Sequence, residues 1–261
     1  MSQRMEGKVA IVTGAGKGIG RGIALALARE GARVVVDDIE FQSAMNVADE
    51  IRKSGRQALA SGADVSNSEQ VKRMVDETLC QFGQIDILVN NAGTGKVIPF
   101  LEISETLWDS LTSINLKSVF LCSQEAGRQM LKQKRGKIVN IASIAGHEAL
   151  PGTAAYSPAK AGVLQLTRVL AVEWAACNIN VNAVSPGFTL TPHTESTMKE
   201  HPELIQNYVS RIPSRRPATV EDVANAVLFL CSSDSDDIFG QEIVVDGGTS
   251  ILHSGYVRTE V

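Results

Sequence analysis

Tyr156 and Lys160 stand four residues apart in the stretch Ala155-Tyr156-Ser157-Pro158-Ala159-Lys160. In a helix, that spacing puts a phenol and an ammonium on one face, one turn apart. A free tyrosine ionises near ~10. A neighbouring cation favours the phenolate, so the pair can give a proton to a forming alkoxide or take one from an alcohol. Any exposed helix can carry such a pair by chance. The reading therefore depends on what the rest of the chain brings to it.

The segments that must position the pair alternate along the chain. Val9–Val12 is short, apolar and β-branched, as a buried strand is. Thr13-Gly14-Ala15-Gly16-Lys17-Gly18-Ile19-Gly20 follows, then apolar residues at helical spacing (Ile23, Ala24, Leu27, Ala28) up to a stop at Gly31. Strand, glycine-rich turn and helix are the context a dinucleotide site needs. The glycines let backbone approach a pyrophosphate, and the helix N-terminus offers N–H donors and positive potential. Strand Arg33–Val36 ends in Asp37-Asp38, about 20 residues beyond the glycines, where an acid meets an adenosine ribose. The alternative is that both aspartates cap the next helix.

Further strands are expected at 57–60, 85–89, 137–141, 179–184 and 242–245. Helices are expected around Ala44–Ile51, through Val71–Leu79, from about 104 to 134, from Tyr156 through Val172, and over Glu221–Cys231. Ser66 or Ser68 is expected to cap the Val71–Leu79 helix. Asn115 falls in the middle of the long helical region between Ile114 and Leu116. It is either a satisfied polar core residue or it holds something at a helix irregularity. The fifth strand delivers Ser143 just past its end. Residues 189–215 are polar and weakly patterned, with Pro192, Pro202 and Pro213, and read as a mobile lid. Strands alternating with helices imply a parallel sheet covered on both faces, a Rossmann-type doubly wound α/β fold of about seven strands. One domain is expected over 1–261, with a tail from about 251. The motifs fall at the C-terminal strand edge, where such folds bind ligands.

Composition excludes several function classes. A net charge of -4 and a pI near 5.6 argue against a nucleic-acid partner. No apolar run reaches the roughly 18 residues of a membrane span. The polar start Met1–Lys8 leaves no room for a signal peptide, so the expected location is cytoplasmic. Cys80, Cys122, Cys177 and Cys231 are scattered and read as reduced, mostly buried thiols. His147, His193, His201 and His253 form no cluster with them, and no metal is expected.

Taken together, Thr13-Gly14-x-x-x-Gly18-x-Gly20, Asp64, Asn90-Asn91-Ala92-Gly93, Asn115, Ser143, Tyr156-x-x-x-Lys160 and Pro186-Gly187 resemble the signature set of the short-chain dehydrogenase/reductase family, in its compact branch. The resemblance covers essentially the whole chain, in the family's order and spacing. It implies that Tyr156 is the general acid/base and that Lys160 lowers its pKa and binds the nicotinamide ribose. Ser143 would stabilise the substrate oxygen, and Asn115 would hold a water that links Lys160 to solvent. Gly14, Lys17, Gly18, Ile19 and Gly20 would cradle phosphate, with Asp38 on the ribose and Asp64 and Val65 near the adenine. Asn91, Ala92 and Gly93 would line the cofactor, and Pro186, Gly187, Thr189 and Thr191 would meet the nicotinamide end.

Thr94 and Arg215 depart from common family choices. Thr94 is a candidate pocket contact, and Arg215 is either a contact to an anionic substrate or a solvated arginine. His147 and His193 are pocket-wall candidates. Asp38 favours NAD and Lys17 favours NADP; proximity gives the decision to Asp38, with Asp37 adding negative field. The leading expectation is an NAD(H)-dependent secondary alcohol dehydrogenase or ketone reductase. The competing expectations are an NADPH-dependent 3-oxoacyl-carrier-protein reductase and a catalytically silent dinucleotide sensor. Relatives are commonly homotetramers, and Val119, Phe120, Leu121, Val163, Leu164 and Leu166 exceed what one buried face needs, so a homotetramer is expected.

Overall fold

The computed structural model describes residues 4–192, 194, 196 and 202–252. Seven parallel strands form its central sheet. They are β1 (Val9–Val12), β2 (Arg33–Asp37), β3 (Ala58–Ser61), β4 (Ile87–Asn90), β5 (Gly136–Ile141), β6 (Ile179–Pro186) and β9 (Glu242–Val245), in the order β3-β2-β1-β4-β5-β6-β9. Two short strands, β7 (Thr189–Leu190) and β8 (Ala218–Thr219), pair beside it. The strand order reverses between β1 and β4, and at such a point the loops part and leave a crevice.

The period-2 alternation of strand side chains divides the core in two. Ala10, Val12, Val34, Val36 and Val89 face α1 (Gly18–Arg29) and α8 (Val220–Cys231), meeting Ile23, Leu27, Val223 and Val227. Ile11, Val35, Leu88 and Ile138 face the other way, onto Met74 and Val75 of α3 (Ser68–Phe82) and Leu121 and Met130 of α5 (Ser118–Gln133). Both faces are covered, so β1 is apolar throughout, whereas β4, β5 and β6 bury Asn90, Asn140, Asn180 and Asn182 among their apolar residues. The remaining helices are α2 (Phe41–Lys53), α4 (Glu105–Thr112), α6 (Tyr156–Trp174) and α7 (Pro202–Arg211).

The structure corrects several expectations. Asn67 caps α3, accepting the N–H groups of Glu69 and Gln70 at 3.1 and 3.2 Å, because the Ser66 hydroxyl is turned onto Asp64. The stretch 189–215 is not without pattern: it contains β7 and α7, and Tyr208 of α7 stacks on Phe188 at 5.3 Å between ring centres. Of the apolar residues assigned to a subunit contact, Val119, Leu121, Val163 and Leu164 are buried within this chain, where α5 and α6 pack against the sheet. Phe120 is exposed, as are Val169 and Val172. Only Cys122 and Cys231 are buried; Cys177 is intermediate and Cys80 exposed.

The region around Asn115 resolves into α4, one π-helical turn at Ser113–Lys117, and α5. A π turn opens the helical ladder, a feature often found at functional sites. Asn115 is fully buried there with its side-chain amide hydrogen-bonded, so both readings hold: it is a satisfied polar core residue, and it stands at a helix irregularity.

Candidate active site

The crevice at the C-terminal strand edge has a volume of about 1060 Å³. Its wall contains Gly14, Lys17, Gly18, Ile19, Gly20, Asp37, Asp38, Asp64, Val65, Asn91, Ala92, Gly93, Thr94, Asn115, Ser143, Tyr156, Lys160, Pro186, Gly187, Thr189 and Thr191. His147 is absent from that wall. Its Nε2 lies 2.7 Å from both carboxylate oxygens of Glu242 on β9, which draws the ring toward the edge strand. His193 lies outside the described residues. Arg215 is exposed and does not line the crevice, which removes the anionic-substrate contact for the described structure. Arg216 pairs with Asp222, whose carboxyl is held well below its ordinary range by the guanidinium and the Thr219 N–H.

At the phosphate end, Gly14 has φ +60, and a Cβ there would stand 2.8 Å from the Ala92 Cα. A Cβ on Gly20 would stand 2.2 Å from the Gly14 carbonyl oxygen and 2.4 Å from the Asn91 amide nitrogen. Only glycine allows this turn to close. Asn91 Nδ2 donates to the carbonyls of Thr13 and Gly14 at 2.9 and 3.0 Å, so the Asn91 side chain braces the turn from β4. The first turn of α1 contains no acidic residue, and its N–H groups have no intrahelical acceptors. A backbone cradle at a helix N-terminus fits a pyrophosphate.

At the adenosine end, Asp38 Oδ2 accepts the Gly16 N–H at 3.0 Å and Oδ1 accepts the Glu40 N–H at 3.0 Å. The carboxylate thus spans the glycine turn and the start of α2, and the capping alternative is partly realised. Asp37 behaves differently. It is 1 % exposed, its Oδ1 accepts the Ala63 N–H at 2.9 Å, and its Oδ2 has no partner. Burial pushes its carboxyl up to about 7, with the charges of Asp38 and Asp64 adding to the rise. The expectation that Asp37 adds to the negative field is therefore weakened: burial disfavours its charge.

At the other end, β5 ends at Ile141, and Ser143 caps the short turn Ile144–Gly146 with its Oγ, which accepts the Ala145 N–H at 3.2 Å. Tyr156 and Lys160 lie on the first turns of α6, and Lys160 Nζ is 5.7 Å from the Tyr156 ring centre. Nζ donates to the Ile141 carbonyl at 2.8 Å, which pins the lysine to the end of β5. Asn115 Nδ2 donates to the carbonyls of Thr94 and Leu111. A Cβ on Gly93 would stand 2.7 Å from Asn115 Oδ1 and 3.4 Å from Lys160 Nζ, so both polar groups border one small space.

The electrostatics differ from the simple expectation. Burial pushes the Tyr156 phenol up, and only the Ser143 hydroxyl pulls it down. Burial also lowers Lys160 to about 8. Burial thus weakens the lysine's charge without removing it at neutral pH, and its amine is turned to a carbonyl. An oxidised nicotinamide bound beside the phenol would add a second positive charge.

Some wall residues carry no motif and were not expected, among them Ile39, Glu40, Phe188 and Thr194. Ile39 has a faint sequence signal, an apolar residue between two acids at the end of a strand, and it is 69 % exposed. Thr194 Oγ1 accepts the Thr191 N–H at 2.7 Å, which fixes the segment over the phosphate turn.

A crevice with a phosphate cradle at one end and a phenol, a hydroxyl and an amine at the other is suited to a nicotinamide-dependent oxidoreductase. Known proteins agree. The family model described as enoyl-(acyl carrier protein) reductase matches residues 14–250. The 3-oxoacyl-(acyl-carrier-protein) reductase FabG of Staphylococcus aureus strain N315 is 42% identical over 242 residues, covering 92% of this chain and 97% of that protein. The (2S)-((R)-hydroxy(phenyl)methyl)succinyl-CoA dehydrogenase subunit BbsD of Thauera aromatica is 40% identical over 249 residues, covering 95% and 98%. The solved structure of a 7α-hydroxysteroid dehydrogenase complexed with NADH and 7-oxo glycochenodeoxycholic acid superposes with a TM-score of 0.90 at 37% identity, covering 95% and 96%. The chain belongs to the short-chain dehydrogenase/reductase family of oxidoreductases.

Proposed function

We propose that the protein transfers a hydride between NAD(H) and a secondary alcohol or ketone, with Tyr156 as the general acid/base. The observation that carries this is the convergence of Ser143, Tyr156 and Lys160 on one wall of the crevice. When bound, the nicotinamide supplies the hydride acceptor or donor and, oxidised, a positive ring. Everything else falls to the chain. Ser143 holds the substrate oxygen by its hydroxyl. Tyr156 takes the alcohol proton in oxidation and returns it in reduction. Lys160 binds the ribose and, with Asn115 and a water, passes the proton outward. Lowering the phenol by about 2–3 units corresponds to roughly 3–4 kcal/mol of preference for phenolate. Two close cations in a partly dry site are of that order.

Asp38 supports NAD over NADP. A ribose 2′-phosphate would sit against its carboxylate, and two like charges about 4 Å apart repel by roughly 4 kcal/mol at an effective dielectric near 20. The second reading is a 3-oxoacyl-carrier-protein reductase, favoured by the names of relatives such as the S. aureus protein. Both readings reduce a ketone and need the same acid. A dinucleotide sensor has no use for that acid. We read 1–261 as a single catalytic domain, residues 189–215 as its lid, and the assembly as a homotetramer. No helix among the described residues is long and apolar enough to cross a membrane.

The test is turnover with both dinucleotides on a panel of polyols, hydroxy acids, alicyclic alcohols and 3-oxoacyl thioesters. Oxidation of secondary alcohols with NAD supports the leading reading. Activity confined to 3-oxoacyl thioesters with NADPH supports the second. Dinucleotide binding with no turnover supports the sensor.

A further inference from the structure

Glu40 opens α2 and lines the adenosine end of the crevice, yet its side chain caps no backbone N–H of that helix. Its Oε2 instead lies 3.5 Å from Lys17 Nζ and accepts the Ser43 hydroxyl at 3.2 Å. Its backbone N–H is held by Asp38 Oδ1 at 3.0 Å, which fixes where the side chain starts. Lys17 is the N-cap residue of α1, so its amine leaves the glycine turn beside the ribose site. Lys17 is also the cation on which any attraction for a 2′-phosphate would depend.

We propose that Glu40 is a specificity-determining residue, which holds the Lys17 ammonium and keeps it from serving a 2′-phosphate. This rests on the NAD reading of the site and deepens it. Asp38 excludes the phosphate by repulsion, and Glu40 removes the compensating attraction. The two acids and one lysine leave the subsite with a net negative charge. Two ribose hydroxyls tolerate that, and a dinegative phosphate does not. Both side chains of the pair are more than three-fifths exposed, so the pair is weak and screened, and the expected effect is modest.

The test is a double-mutant cycle read by binding alone: the dissociation constants of NADH and NADPH from the binary complex, by fluorescence titration at low salt. Glu40→Gln is expected to tighten NADPH about fivefold and to change NADH less than about twofold, a gain of the size of one exposed ion pair. Lys17→Ala alone is expected to leave the NADPH-to-NADH ratio of dissociation constants within about twofold of wild type, because the amine is already engaged and any loss at the shared phosphates falls on both dinucleotides. Adding Lys17→Ala to Glu40→Gln is expected to erase the NADPH gain. The proposal is overturned if Glu40→Gln does not favour NADPH, or if the gain survives in the double variant, since loss of charge alone would then explain it. A wild type that binds NADPH as tightly as NADH sinks the NAD reading instead, and the cycle still decides whether Glu40 engages Lys17.

Discussion

Asn115 and Thr94 exchange two hydrogen bonds: Nδ2 donates to the Thr94 carbonyl at 2.7 Å, and the Thr94 N–H donates to Oδ1 at 3.2 Å. The same amide donates to the Leu111 carbonyl at 2.8 Å. One buried side chain thus joins the π turn to the loop that follows Asn90-Asn91-Ala92-Gly93. Asn115→Ala takes this partner from the buried Leu111 carbonyl, at about 1–3 kcal/mol, and from the part-buried Thr94 carbonyl, at less. We expect a thermal midpoint several degrees lower and a reduced kcat. Calorimetry and steady-state kinetics check this; a kcat equal to wild type contradicts the assigned role.

Much of this was legible in the sequence, for identifiable reasons. Strands such as Val9–Val12 are apolar on both faces and flanked by turn residues, so their place and their parallel pairing followed. The proposed catalytic residues were legible because Ser143 follows the end of a strand and Tyr156 begins a helix that brings Lys160 one turn on. What was hidden depends on three dimensions. Whether Asp37 is charged turns on its burial, and its neighbour Asp38 has the same side chain with a different surrounding. His147 sits four residues from Ser143, but its partner Glu242 is on the edge strand, 95 positions away. Val163 and Leu164 show apolar character, not which surface covers them.

Asp38→Ala removes the carboxylate at the ribose site. Wild type is expected to prefer NAD over NADP by at least about a hundredfold in kcat/KM, given the repulsion between the carboxylate and a phosphate. The variant should narrow that ratio, chiefly by admitting NADP. Kinetics with both cofactors checks it; an unchanged ratio removes Asp38 from the account.

Asp37 gives the fold a pH dependence. Its folded pKa, about 7, is above the ordinary aspartate value. Between about pH 4 and 7 the folded chain holds a proton that the unfolded chain has lost, so this group's contribution to stability is full at low pH and is lost as pH rises through 7. Asp37→Asn cannot ionise and can keep the Ala63 hydrogen bond. We expect it to be more stable than wild type at pH 8, by roughly 1–3 kcal/mol, with a smaller gain at pH 5. Thermal melts at the two pH values check this; equal gains at both contradict the burial argument.

Phe120, Val169 and Val172 remain exposed on α5 and α6, with Val172 at 82 %. The homotetramer we propose would bury these residues against their symmetry mates. Val172→Asp is expected to shift a wild-type tetramer toward smaller species at micromolar concentration. Light scattering reads the mass directly, and a monomeric wild type refutes the assembly.

The central claim is that the Tyr156 phenol carries the proton that accompanies hydride transfer. Its most direct test is Tyr156→Phe, which removes one oxygen and leaves the ring beside Lys160. The measurement is kcat for the best alcohol or ketone substrate, alongside the dissociation constant of the dinucleotide for the same variant. The account predicts that kcat falls by at least about a thousandfold, in line with loss of an acid/base group, while the dinucleotide binds within a few-fold of wild type. A variant that turns over within tenfold of wild type with the dinucleotide bound would contradict it.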